Sequence, residues 1–407
     1  MNISEEKLPC TCDVCIIGAN IAGSYLAYLL AQKGIDIIVV EKNRETGLPL
    51  RCAGIISQKL ASIIDLDRKI VLNRVQTAQI VAPNNLKLEL RGKERPFIVD
   101  RVKLDKSFYE KAKNLGVTFL FRERFLTYRK KKSDSLEIRT SKRKIYCQII
   151  VGCDGPHSRV AKLNGVRQKL ITGMQIRVRY KWPKNFVKMI FNPKWKELFG
   201  WIIPEGNGIC RIGMGAYNNP GKNFREFLVN LSIKKPDIID HQGGMIPYGY
   251  IRHIAFERTL LLGDAACMVK ATTGGGVIML LSSAGYAANS IQKSLNARDF
   301  SKKFLIRHYE RKVKKKIGLD LKIHYLIRFL LTQMSVDDLN QLFRLIKNNK
   351  NIQNIIENYA DMDFPKSIII KILLNRDFIL YLFKMIVKNL KILPDIAKIL
   401  IGNYRPK

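Results

Sequence analysis

Short runs of uninterrupted apolar residues that end in glycine recur near residues 15, 150 and 260. The first, CDVCIIG at 12–18, predicts a buried strand. From Ala19 to Lys33 the apolar positions follow a helical period, and Gly34 is placed to stop that helix. IDIIVVE at 35–41 is rich in β-branched residues and predicts a second buried strand ending on Glu41. The order strand, turn, helix, strand is a βαβ unit. Residues 70–150 alternate strand-like runs with one helix near 103–115, and YCQIIVGCDG at 146–155 predicts another buried strand. Residues 170–250 hold short alternating runs, Trp182, Trp201, Pro204 and many glycines, a pattern that predicts an antiparallel sheet. Residues 259–292 return to strand, glycine-rich loop and helix. Beyond about 300 the chain reads as helical and basic. Near its end Lys384, Lys388 and Lys391 share one face at helical spacing, and Pro394 is expected to interrupt that helix.

Composition narrows the class. A chain of 407 residues, 47% of them hydrophobic, predicts two or three structural units and argues against general disorder. The 71 Lys and Arg against 34 Asp and Glu give a formal charge of +37. That excess favours anionic partners, or else is a solvated basic surface. No nucleic-acid recognition motif accompanies it, so nucleic acid is not an expected partner. The eight cysteines form no compact disulfide framework, and residues 1–9 carry no apolar leader, which together predict a reducing, cytoplasmic setting. No apolar run reaches the roughly 18–20 residues that a spanning helix needs. Cys10, Cys12 and Cys15 have metal-like spacing but no fourth ligand nearby, so no metal is expected. His157 and His253 have no ligand or catalytic partner in the pattern and read as surface or structural.

Three stretches carry candidate chemistry. Gly18 to Gly23 lies between the first strand and the helix, where helix amides and dipole favour a pyrophosphate. Gly18 suits the tight turn and Gly23 close packing of helix on strand, while Asn20 stands where the pattern has its middle glycine. Glu41 is placed to accept both hydroxyls of an adenosine ribose. Asp264 follows the strand TLLLG and is placed to bond a polyol. Gly274, Gly275 and Gly276 let backbone approach a flat ring, with the helix that opens at Val277 aimed at it. Asp154 ends another strand, in a structural or cofactor-supporting role.

The ordered set GANIAG, Glu41, RCAG, GCDGPHS, FGWIIP and GDAA with its following GGG resembles the geranylgeranyl reductase family, over roughly residues 10–300. Among its members the archaeal digeranylgeranylglycerophospholipid reductases are most similar in Pro49–Gly54 and in Phe199-Gly-Trp201-Ile-Ile-Pro204. The resemblance implies an α/β fold. Its parts would be a glutathione-reductase-like FAD-binding Rossmann domain, an antiparallel-sheet substrate domain and a helical C-terminal tail. Residues 1–168 and 251–299 would form the FAD domain, 169–250 the substrate sheet and 300–407 the helical region. FAD contacts carry over onto Ala22, Glu41, Cys52, Ala53, Arg101, Asp264, Gly276 and Val277. The sequence departs from the family at Asn20, Ile55, Cys267 and Ala271.

The activity implied is FAD-dependent reduction of isoprenoid carbon–carbon double bonds, on geranylgeranyl chains of archaeal ether phospholipids. Electrons would come from NAD(P)H or a ferredoxin-like carrier, and the protein would work in the cytoplasm or on the inner membrane face. Cys52 and Trp201 are the catalytic candidates, with packing as the alternative role for each. Phe199, Trp201 and Pro204 are expected to wall a substrate channel beside the flavin, or simply to fill the core. The basic tail is expected either to meet a membrane surface or to cap the substrate domain. Two other functions fit the same fold: a flavin monooxygenase or halogenase, and a non-catalytic lipid-binding flavoprotein.

Overall fold

The computed structural model describes residues 10–132 and 134–401. The expectation about residues 1–9 lies outside them. The central element is a six-stranded sheet in the order Ala255–Phe256, Thr259–Leu261, Ile149–Gly152, Val14–Ile17, Ile37–Val40, Thr118–Leu120. All neighbours are parallel except the edge pair formed by Ala255–Phe256. Its four inner strands are buried on both faces, which is why they read as unbroken apolar runs. Val14–Ile17 sits where the strand order reverses, the point at which open α/β sheets bind ligands beyond their carboxyl ends. The helix Ile21–Ala31 follows it directly.

The run YCQIIVGCDG is two strands, not one. Lys144–Cys147 joins a four-stranded sheet with Cys10–Thr11, Leu136–Thr140 and Phe125–Lys130, whereas Ile149–Gly152 enters the parallel sheet. The chain steps between sheets at Gln148, whose carbonyl and side-chain oxygens both accept from Arg258. Gln148 is the one polar residue between the two strands, and a single half-buried glutamine does not by itself mark a strand end.

The antiparallel expectation holds for most of a seven-stranded sheet ordered Ile238–Tyr248, Lys169–Arg179, Ile209–Ala216, Gly200–Gly206, Phe186–Ile190, Thr77–Val81, Lys87–Arg91. The sheet reaches outside the expected 169–250 segment: Thr77–Val81 pairs in parallel with Phe186–Ile190 and brings in Lys87–Arg91. That pairing spans more than a hundred residues and leaves no local mark.

Helices follow from Val277–Ala297 to Leu393–Ile401. Helix Arg376–Lys388 ends at Asn389, and Pro394 lies in the first turn of Leu393–Ile401. Its missing N–H costs nothing there, so the break precedes the proline rather than being caused by it. Met385, Ile392 and Ile399 bury themselves in the cluster that holds Phe199 and Trp201, so these helices do cap the sheet region. Among the described residues no helix is long and apolar enough to cross a membrane.

Candidate cofactor site

A cavity of about 550 Å3 opens at the carboxyl ends of the parallel strands. Glu41 stands at one part of its wall and Gly274–Gly276 at another, with Gly18, Ala22, Cys52, Arg101, Asp264 and Val277 also on the lining. Gly23 and Ala53 are not on it. Gly23 packs behind: a Cβ there would overlap the carbonyl oxygen of Gly18, so glycine is required for the helix to close on the turn. The carbonyl of Ala53 instead accepts from Arg211 Nη1 at 2.9 Å.

The first turn is braced by groups of several elements. Glu41 is 5% exposed; its Oε2 accepts from the Ala19 amide at 2.9 Å and its Oε1 from Asn43 at 2.8 Å. Asn20, in the place of a glycine, accepts from the Gly47 amide at 3.0 Å and so ties the 43–54 loop to the turn. Asp105 accepts from the Ile21 amide at 3.3 Å and pairs with Arg101 at 2.9 Å. Burial pushes the Asp105 carboxyl up and the Arg101 guanidinium opposes that shift. Arg101 also stands beside Cys52. Cys52 Sγ in turn accepts from the Gly54 amide at 3.3 Å. Gly54 has φ +74, and a Cβ would strike Arg211, which holds the loop through Ala53 and Val99 carbonyls. Glu205 anchors Arg211 and Arg177 beneath. Sequence reasoning missed Asp105, Arg211 and Glu205. Only the Arg101–Asp105 spacing of four on a helix could have pointed to one of them.

Asp264 is the second residue of the turn Gly263–Ala266 and lines the cavity. Cys267 follows with φ +52, the left-handed region, which explains why glycine suits that position and why cysteine there carries strain. Its thiol, which burial pushes up to about 12, donates to the Gly249 carbonyl at 3.4 Å. The helix Val277–Ala297 opens at Gly276 with no side chain capping its first amides. Lys270 was also missed by sequence reasoning. It lines the cavity beside Gly275 and pairs with Asp363 at 2.6 Å, both nearly fully buried. His324 joins this group through Thr272 Oγ1 at 2.6 Å and the Asp363 carbonyl at 3.1 Å. Burial pulls its pKa down to about 4, so the ring is neutral.

Other expected residues lie away from the cavity. Phe199, Trp201 and Pro204, expected either to wall a channel or to fill the core, are buried and not on its lining. Trp201 Nε1 donates to Gln175 at 2.8 Å, and its ring meets Phe199 edge-on at 6.3 Å. These contacts are core packing. Ile55 and Ile246 belong to the edge of the same cluster and do line the cavity, so the aromatics sit behind the wall. Asp154 accepts from Ser158 and from the Arg159 and Val160 amides, which is a turn-bracing role beside the cavity. His253 pairs with Glu310. Cys15 is a fully buried strand residue, and among the described residues no group of three His, Cys, Asp or Glu could hold a metal.

Burial pushes the Asp264 carboxyl from 3.8 to about 6, with Arg101 opposing. A carboxyl raised on folding takes up protons that the unfolded chain would release. Its contribution is therefore most favourable below about 3.8 and declines as pH rises towards about 6. The full shift corresponds to ~3 kcal/mol, but Asp264 is only half-buried on the wall of an open cavity, so about 1 kcal/mol is expected. Urea midpoints of apoprotein between about pH 4 and pH 7 should thus fall relative to those of Asp264→Asn. Parallel curves for the two proteins would refute this account.

A βαβ turn with an acid at the second strand end, joined through one cavity to a glycine loop and helix N-terminus, defines a flavin-dinucleotide protein. The comparisons agree. A family model described as FAD binding domain matches residues 11–219, just over half of the chain, and the chain belongs to that family. FAD is its cofactor, and the protein is an FAD-dependent oxidoreductase. It is 26% identical over 367 residues to digeranylgeranylglycerophospholipid reductase of Methanosarcina mazei, covering 83% of this chain and 89% of that one. Its fold resembles a geranylgeranyl bacteriochlorophyll reductase-like protein of Thermoplasma acidophilum, with TM-score 0.80, 20% identity and coverage of 92% and 99%. It also resembles pqsL, a probable FAD-dependent monooxygenase of Pseudomonas aeruginosa, with TM-score 0.62, 15% identity and coverage of 82% and 100%.

Proposed function

We propose that this protein reduces carbon–carbon double bonds of geranylgeranyl chains on archaeal ether phospholipids. The observation that carries the reading is the near full-length similarity to a reductase of that name, together with a cavity where Cys52 meets the apolar Ile55 and Ile246. When bound and reduced, the flavin supplies a hydride from N5 to one alkene carbon. A proton must reach the other carbon, and two electrons must then return from NAD(P)H or a ferredoxin-like carrier. An unactivated alkene offers no carbonyl to polarise, so the protein's task is positioning and water exclusion. Ile55, Ile246 and Pro247 supply the apolar wall. Cys52 is the proton donor in this reading, and Arg101 with Gly54 fixes its place. Glu41 binds the ribose, Asp264 the polyol, and Gly274–Gly276 the ring.

The test is anaerobic reduction of the bound flavin followed by mixing with unsaturated ether lipid. Flavin reoxidation with saturated product is expected, and Cys52→Ala should slow that step by about a hundredfold while FAD stays bound. No reoxidation by any prenyl lipid would overturn the reading. Resemblance of fold to a monooxygenase keeps a second reading: reoxidation that requires oxygen and yields a hydroxylated product would establish it.

A further inference from the structure

The last three helices bury one side and leave apolar residues on the other. In Arg376–Lys388 the buried or half-buried positions are Phe378, Tyr381, Leu382, Met385 and Ile386. The exposed positions Ile379, Leu380, Phe383 and Val387 fall at spacings of one, three and four, which is a single helical face. A solvated face would carry polar residues there. Phe383 is 65% exposed, and the neighbouring elements repeat the inversion: Leu374 and Ile401 are 79% and 71% exposed. Eleven of the 21 large apolar side chains left exposed among the described residues lie within residues 370–401, so the apolar surface is concentrated and not scattered.

Charge identifies the occupant. Residues 366–401 hold seven Lys or Arg and two Asp. Lys384 and Lys391, both exposed, interleave with the apolar row. Two copies packed face to face would oppose like charges, whereas anionic headgroups would neutralise them. Apolar residues flanked by lysines on a helix too short to span are suited to lie in the plane of a bilayer surface. We infer that this C-terminal face docks the protein on an anionic lipid bilayer. The inner side of the same helices packs with Phe199 and Trp201, so docking would hold the sheet domain against the surface. The inference stands apart from the reaction, because docking is read without turnover.

Sedimentation of the full FAD-loaded chain with vesicles of phosphatidylcholine containing phosphatidylglycerol tests it. Binding is expected, and weaker binding to phosphatidylcholine alone. Combined Leu380→Ser, Phe383→Ser and Val387→Ser should lower the partition constant by about a hundredfold. Lys384→Gln with Lys391→Gln should lower it about thirtyfold and flatten its salt dependence. Flavin content and melting temperature of both variants should match the parent, since the residues are exposed. Equal sedimentation of the parent and the apolar variant overturns the proposal. Equal binding to neutral vesicles overturns its charge component. A parent that is dimeric by light scattering, ignores vesicles and becomes monomeric in the apolar variant assigns the face to a second copy instead.

Discussion

Replacing Glu41 by alanine is expected to raise the dissociation constant for FAD by about a hundredfold, measured by titrating apoprotein with FAD and following flavin fluorescence. Glu41 leaves the strand Ile37–Val40, the neighbour of the switch-point strand Val14–Ile17, and each carboxylate oxygen already takes one backbone amide, from Ala19 and Asn43. Those bonds fix the carboxylate on the cavity wall and leave further lone pairs for two ribose hydroxyls. Hydrogen bonds to a charged group contribute about 1.5 kcal/mol or more each, and two of them correspond to about a hundredfold in affinity. Glu41→Gln keeps one acceptor and should lose about tenfold. The alanine variant also strands the Ala19 and Asn43 amides, so its apoprotein should unfold at lower urea. An unchanged FAD affinity in Glu41→Ala would remove the ribose assignment.

The residues that the sequence made legible are those whose role is local. Gly18, Gly23 and Glu41 lie within one βαβ unit, and their period, turn and strand end are all written in thirty residues. Asp264 and Gly274–Gly276 form a second local unit, recognisable for the same reason. What could not be read joins distant segments. Thr77–Val81 enters the large sheet through a partner at Phe186–Ile190. Arg211 reaches the Cys52–Gly54 loop across more than 150 residues. Trp201 was expected at the flavin because aromatic motifs mark both sites and cores, and burial alone does not separate the two. Asn20 looked like a weakened glycine motif, yet its side chain gains a bond to Gly47 that glycine would lack.

Lys270 shows how far such a distant pairing reaches into the site. Its backbone closes the turn before the glycines: its amide donates to the Gly275 carbonyl, and its carbonyl accepts from Gly274 at 2.8 Å. Its side chain crosses to the segment between two C-terminal helices, where Nζ donates to Asp363 Oδ1 at 2.6 Å and to the Met362 carbonyl at 2.8 Å. Among the described residues the second Asp363 oxygen, which is buried, has no hydrogen-bond partner, so Lys270 is the principal compensation for that charge. Lys270→Met keeps much of the side-chain volume and removes the cation. Stranding a buried carboxylate in this way costs about 3–5 kcal/mol, whereas replacing both members of such a pair is far milder. The single variant should therefore show an unfolding free energy in urea lowered by that amount and a reduced flavin content. Adding Asp363→Asn to Lys270→Met should recover most of the stability, because the stranded charge is gone. Flavin content should then report the loop alone: recovery with stability assigns Lys270 to holding the C-terminal segment, and continued loss assigns it to the ring-binding turn. A single Lys270→Met protein as stable as the parent would mean that water reaches Asp363 and that the pair is not buried as described.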